Sequence, residues 1–208
     1  MTESATSSRV AGSESTRRSR LKADRREQLL RAAARLTAER GFSGVRLEDI
    51  GAAVGISGPA IYRHFSSKEA LLVELLSSVS RRLLMGARAV AGQASSAEQA
   101  IEDLIDHHLD FALGQPDLIR VQDRDLHSLP AEARREIRHM QRRYVELWVG
   151  ALIEKDPRID ARDARIKAHA VFGLLNSTAH SLVERELPDA AGQARIVLRS
   201  MALGALFH

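Results

Sequence analysis

The chain has 208 residues with a net charge of +4, 44% hydrophobic and only 4% aromatic residues, and no cysteine. That length can bury a core of one or two domains. The missing cysteine excludes disulfides, thiol catalysis and cysteine-based metal sites. No apolar run approaches the length of a membrane helix and the N-terminus lacks the apolar core of a secretory signal, so a soluble, cytoplasmic protein is expected, with no membrane partner.

The charge is unevenly placed. Residues 1–70 hold 13 Lys/Arg against 8 Asp/Glu, and the remainder 18 against 19. A basic end on a balanced chain suits a polyanionic partner, although a solvated tail has the same composition. Abundant Ala and Leu with few β-branched runs favour an all-α protein.

Residues 1–20 are polar and basic and are expected to form a disordered tail. Arg17, Arg18, Arg20, Lys22, Arg25 and Arg26 straddle the entry to the first helix, as an arm that could lie along phosphates or reach a minor groove. A helix is predicted over Asp24–Arg40, ended by Gly41. Leu47–Lys68 then reads as two short helices and a turn. Leu47, Ile50, Val54 and Ile56 are apolar anchors, and Gly55 suits a left-handed C-cap. Ser57 caps the next helix, Pro59 lies in its first turn, and Ile61 and Phe65 share one buried face. This is the pattern of a helix-turn-helix whose second helix enters the DNA major groove.

Ser66 with Glu69, and Ser95 with Glu98, read as capping boxes opening two further helices. The first runs to about Ala91 and the second to Leu113. Asp117–Pro130 is a charged short helix and loop, whose Arg120, Asp123, Arg124 and Asp125 are either solvated or, as the family resemblance given below implies, part of a relay. Long helices are expected over about 131–154, 161–184 and 189–208. The body walls should be Leu, Ile, Val, Phe and Ala with few aromatics, so the ligand that the resemblance given below implies is expected to be aliphatic or acyl-type rather than a flat aromatic.

Glu39–Phe42 (ERGF), Glu48–Ser57 (EDIGAAVGIS), Ala60–Phe65 (AIYRHF) and Ser67–Leu72 (SKEALL), in this order near the N-terminus, resemble the TetR family of transcriptional regulators. The resemblance covers about Arg26 to Leu76. It implies an N-terminal three-helix DNA-binding head at residues 21–68 and a helical ligand-binding and dimerisation body at 69–208, about nine helices in all. It also implies a homodimer built from the last two long helices, double-stranded operator DNA as partner, and a small-molecule effector. No cofactor and no metal are implied.

The DNA-binding candidates are Arg46, Ser57, Gly58, Pro59, Ala60, Tyr62, Arg63, His64 and Lys68. Tyr62 and Lys68 are phosphate or base contacts by resemblance, while a tyrosine here is otherwise a core residue. Gly58, Pro59 and Ala60 offer little hydrogen-bonding chemistry, so base readout by side chains is thin. Trp148, Asn176 and His180 are candidates for the ligand pocket, Asn176 and His180 being equally suited to a polar pair at the interface. Ser200 and Gly204 would allow close helix packing there, with Ala202, Leu203 and Phe207, although a purely intrachain core has the same pattern. The His107, His108 and Asp110 group lacks ligand spacing and reads as surface or satisfied core histidines. The expected function is a repressor released from a palindromic operator by its effector. The alternatives are a constitutive DNA-binding factor without an effector, or an enzyme, for which the chain shows no poised nucleophile.

Overall fold

The computed structural model describes residues 4–180 and 190–207, with the side chains of 20–179 and 191–207. Nine α-helices and two 3-10 turns make up the described residues, and no strand occurs among them. The chain divides into two compact units, residues 1–71 and 72–208.

The first unit holds α1 (Ser4–Arg40), α2 (Leu47–Ala53) and α3 (Gly58–Ile61). Helix α1 begins at Ser4 instead of near Asp24, so most of the segment expected to be disordered is helical. It contains no proline to stop a helix from extending backward. Its C-terminal half supplies Leu29, Ala33 and Leu36 to a core completed by Val45, Leu47, Ile50, Ile61, Phe65 and Leu71. Gly41 closes α1 with φ +79°, its N–H reaching the Thr37 carbonyl at 2.8 Å.

The turn between α2 and α3 has the two hydrogen bonds of a Schellman motif. The Ile56 N–H donates to Gly51 O at 3.0 Å and the Gly55 N–H to Ala52 O at 3.1 Å, with Gly55 at φ +71°. The expected C-cap glycine is therefore in place. Gly51 permits the close approach of the next segment, since a Cβ there would lie 3.4 Å from both Ile56 and Ile61. Helix α3 is shorter than the Ala60–Phe65 pattern suggests. It ends at Ile61, and Tyr62–His64 form a tightened turn in which the His64 N–H reaches back three residues to Ile61 O at 2.8 Å.

Helix α4 (Lys68–Gln93) begins in the first unit and continues into the second, which adds α5 (Ala97–Gly114), α6 (Pro116–Asp125), α7 (Ala131–Lys155), α8 (Ala161–Asn176) and α9 (Ala190–Phe207). In both Ser-Ser pairs the cap is the second serine. Ser67 Oγ accepts from the Ala70 N–H and Ser96 Oγ from the Gln99 N–H, each at 3.1 Å. The expected boxes on Ser66 and Ser95 are thus displaced by one residue, and both glutamates sit in the first turn, where the helix dipole favours them. Asp160 caps α8 through the Arg162 and Asp163 N–H groups at 2.8 Å.

Helices α7 and α8 lie side by side, with α5 and α9 against them. Ile101, Leu104, Ile105, Leu109, Ile137, Trp148 and Leu175 are fully buried between them. An ion-pair ladder joins α5 to α9. Arg199 contacts Glu102 at 2.8 Å and Asp106 at 3.1 Å, and Arg195 pairs with Asp110. The carboxylates recur every four residues and so share one face.

Helix α8 stops at Asn176 and continues as a 3-10 turn over Ser177–His180, so the expected single helix to residue 184 is broken; residues 181–189 and the His180 side chain lie outside the described residues. Ala202, assigned by expectation to the interface, is fully buried in its own protomer. Ile196, Val197 and Met201 on α9, and Ile166 on α8, are instead the exposed large apolar side chains of these helices.

Candidate functional site: a helix-turn-helix head and an aromatic cavity

In the head, α3 turns Ile61 and Phe65 inward and leaves Ser57, Pro59, Tyr62 and Arg63 exposed. The reading Tyr62 as a core residue is overturned, since its side chain is half exposed. Its hydroxyl donates to Glu48 Oε1 at 2.6 Å, an acidic partner the sequence did not reveal. That bond is the main reason the Glu48 carboxyl sits below its ordinary range and the Tyr62 phenol above its own. Ser57 occupies the N-cap of α3, but its hydroxyl makes no capping bond and remains available. Gly58 and Ala60 are half-buried, and a Cβ on Gly58 would only touch Glu48 Cγ at 3.4 Å.

Arg46 is exposed at the N-cap of α2. A guanidinium has no acceptor, so it cannot cap the helix through its side chain. The Asp49 carboxylate instead caps the Arg46 backbone N–H at 2.9 Å, and the cation is left pointing to solvent. Lys68 is half-buried, its ammonium donating to the Phe42 carbonyl at 2.8 Å and lying 4.4 Å from the Phe42 ring centre. It therefore ties α4 to the end of α1 while retaining two N–H donors.

Two arginines grouped with the N-terminal arm do structural work inside the head. Arg25 donates to the Val54 carbonyl at 3.0 Å, and Arg26 to the His64 carbonyl at 2.6 Å while lying 4.3 Å over the Phe65 ring. Each fixes the C-terminal end of one helix of the motif. His64 is half-buried with no hydrogen-bond partner for Nδ1 among the described residues. Burial first, then the cations Arg26, Lys22, Arg63 and Arg25, hold its pKa below the ordinary imidazole value. The face around α3 is thus positive, with hydroxyl donors and little base-reading chemistry.

The body holds a partly open cavity of about 240 Å³ between α4, α5, α6, α7 and α8. Its wall is only partly the one expected: Leu83, Ile119 and Val145 are joined by more rings than the composition suggests. Phe111, Tyr144, Phe172, His108 and His169 line it, with Ser80, Gln122, Gln141 and Asn176 as polar groups. Aromatic residues are few in the chain, but half of them gather at this one place: Trp148 stands behind Phe172 at 5.0 Å between ring centres and does not line the cavity.

His108 is the centre of this wall. It is buried, stacked 5.1 Å from Phe172, and engaged at both nitrogens. Asn176 Oδ1 lies 3.1 Å from Nε2 and can only accept, so Nε2 carries the proton. Nδ1 is then the acceptor for the Tyr144 hydroxyl at 2.9 Å. Burial lowers the pKa of His108 to about 4, leaving it neutral at physiological pH, and burial likewise raises that of Tyr144. Asn176 lines this cavity. Ser80 Oγ is buried with no partner among the described residues. A second feature adjoins the cavity: a groove of about 600 Å³ lined by Arg138, Arg142, Arg165, Glu146, Gln141, Val145 and His169.

The charged segment of α6 is tied into the body. Arg120 pairs with Asp117 at 3.5 Å and donates to the Ala179 carbonyl, and Asp125 is buried beside Arg124. His107 bonds the Leu83 carbonyl at 3.1 Å, and no group of metal-binding side chains occurs among the described residues.

Residues 29–75 match the family model "Bacterial regulatory proteins, tetR family", and residues 94–180 match "Tetracyclin repressor-like, C-terminal domain". The chain belongs to the TetR family. Among curated relatives, the HTH-type transcriptional repressor KstR2 of Rhodococcus jostii is 28% identical over 76% of this chain and 78% of its own. The ketosteroid transcriptional regulator KstR2 of Mycobacterium tuberculosis has the same fold, with a TM-score of 0.75 at 21% identity, covering 88% of this chain and 94% of that one. So has the transcriptional regulator FadR of Bacillus subtilis, determined in complex with stearoyl-CoA, with a TM-score of 0.63 at 21% identity, covering 86% and 98%. This TetR-family chain is therefore a DNA-binding transcriptional regulator with a helix-turn-helix head and a helical C-terminal domain.

Proposed function

We propose that the protein is a repressor that binds a palindromic operator as a homodimer and is released by a small, acyl-type effector. The observation that carries this reading is the cavity in the body, because α4 lines it with Ser80 and Leu83 and the same helix starts at Lys68 in the head. A ligand that favours one setting of α4 over another changes DNA affinity by its differential binding, typically ~1–3 kcal/mol. A constitutive DNA-binding factor has no use for a cavity with an unpartnered buried hydroxyl. The regulator names of the relatives support a non-enzymatic role. The acyl class rests on FadR and its stearoyl-CoA, carried over as an expectation.

In the head, Arg46, Ser57, Tyr62, Arg63 and Lys68 are assigned to DNA phosphates, with Gly58, Pro59 and Ala60 bringing backbone close and His64 at the edge of the face. Four helical residues in α3 reach few base pairs, so two copies are needed for useful specificity. The exposed Ile166, Ile196, Val197 and Met201 on α8 and α9 suit a second copy of the chain. The proposed action on DNA fits the expected cytoplasmic location, and no helix of the described residues is long and apolar enough to cross a membrane.

Footprinting against the DNA flanking its own gene tests the reading. Protection of a two-fold symmetric site is expected, with a loss of affinity across all sequences for Tyr62→Ala. Lys68→Ala should lower the salt slope by about one phosphate. If no duplex is preferred over random DNA, the reading falls.

A further inference from the structure

The hydrogen bond between Tyr62 and Glu48 commits one proton. A carboxylate only accepts, so the Tyr62 hydroxyl is the donor, at 2.6 Å. A phosphate oxygen also only accepts. Tyrosine carries a single O–H, so the hydroxyl has nothing to give a phosphate while Glu48 holds it. The two contacts exclude one another.

Glu48 stands on the side of the head proposed to face DNA. It is the second residue of α2 and is exposed, and a Cβ on Gly58 would lie 3.4 Å from its Cγ. Gly58 and Tyr62 are four apart, so the Glu48 side chain runs along α3 from its first residue to its C-cap. Its neighbour Asp49 is engaged by the Arg46 N–H, and no ion pair of Glu48 occurs among the described residues. Gly58, Pro59 and Ala60 bring no hydrogen-bonding side chain, so the polar chemistry of this face rests on Ser57, Tyr62 and Glu48.

Few groups in DNA can satisfy a carboxylate. Phosphates repel it. In the major groove, guanine N7 and O6 and thymine O4 accept, and only the amino groups of cytosine and adenine donate. The adenine amino group has the acceptor N7 beside it, which faces a carboxylate unfavourably. Cytosine has no acceptor of its own on that edge.

We propose that Glu48 is a base-reading residue: on the operator the Tyr62 hydroxyl passes to a phosphate, and the freed Glu48 carboxylate accepts from the amino group of a cytosine in each half-site. The inference rests on the proposal that the head binds an operator, and adds a base to it. A sequence without that cytosine either leaves the carboxylate unpaired or keeps the Tyr62 proton from the phosphate. One contact is lost whichever way the proton goes, so a contact to the DNA backbone becomes part of sequence discrimination.

Selection from randomised duplex DNA by the full-length protein tests it, followed by titration of the selected duplex and its variants. The parent is expected to enrich a C·G pair at one fixed place in each half-site. Changing that pair to T·A puts an acceptor where the amino group was, and should weaken the parent about tenfold. Glu48→Ala should lose the preference at that pair alone, and bind random DNA more tightly because a like charge is gone. Tyr62→Phe should weaken all duplexes alike and keep the cytosine. Glu48→Gln, of the same size, should keep the melting temperature and lose discrimination against T·A, because an amide both donates and accepts. A bond that only braced α2 against α3 would move stability and overall affinity, not the preference at one pair. An unchanged selection profile in Glu48→Ala and Glu48→Gln overturns the inference. Loss of an adenine preference in place of a cytosine overturns the base assigned. Loss of the cytosine preference in Tyr62→Phe overturns the exchange, since the hydroxyl then stays on Glu48 in the complex. In each of these cases a symmetric site selected by the parent leaves the operator reading standing; a parent that selects no sequence removes both.

Discussion

Gly55→Ala isolates the cost of one backbone conformation. The residue sits at φ +71°, and a Cβ built there would meet nothing within 4 Å. No packing effect competes, so only the left-handed conformation is penalised, at ~1–2 kcal/mol for a residue with a Cβ. Alanine also has less conformational freedom to lose on folding, worth ~0.4–1 kcal/mol in the opposite direction. The net expectation is a loss of about 1 kcal/mol, read as a lower urea midpoint at unchanged slope. Gly150→Ala is the matched control. It lies inside α7 with open space around it and a helical φ, so the same chemical change should stabilise by ~0.5–1 kcal/mol. Gly55→Asn should recover part of the loss, since asparagine tolerates this region better than alanine. A Gly55→Ala protein as stable as the parent would refute the reasoning that the left-handed conformation at this turn penalises a residue with a Cβ.

Three further outcomes can be checked. His108 has a folded-state pKa near 4 against 6.5 when exposed, so between those values the unfolded chain binds a proton that the folded chain refuses. Stability should fall as pH drops from about 6.5 towards 4, by up to ~1.4 kcal/mol per pH unit, and His108→Gln should flatten that part of the melting-temperature profile. A Cβ at Gly86 would lie 2.3 Å from His107 Cε1, so Gly86→Ala should cost ~1–3 kcal/mol by overpacking, and His107→Ala in the same chain should recover much of it in a double-mutant cycle. Ile196→Glu together with Met201→Glu, both at exposed positions, should yield a monomer by light scattering with little change in helicity; an unchanged mass would move the interface elsewhere.

The head was legible because each local signal agrees with the next: Gly41 and Gly55 where φ is positive, Ile61 and Phe65 on one face, and alternatives sterically excluded. The caps were misplaced by one residue because Ser66-Ser67 and Ser95-Ser96 offer equivalent hydroxyls, and the choice between them depends on where the preceding segment lands. The cavity was less legible. Asn176 was a candidate, but His108, Phe111, Tyr144 and Phe172 come from three helices, and no spacing along the chain reveals that they meet. Tyr144 and Trp148, four apart on α7, carried the one local hint, an aromatic pair on a single face. Arg25 and Arg26 read as a phosphate arm because charge shows in a sequence while the carbonyls they cap do not.

That last pair has a consequence for genetics. Helix α3 has too few residues to hold its own shape, and its end is fastened from outside by a cation on α1, as is the end of α2. A screen for loss of DNA binding would therefore return Arg25 and Arg26 beside the residues proposed to face DNA. They would mimic contact residues in every binding assay. Melting would separate them, because a splint that is lost loosens the head whether or not DNA is present.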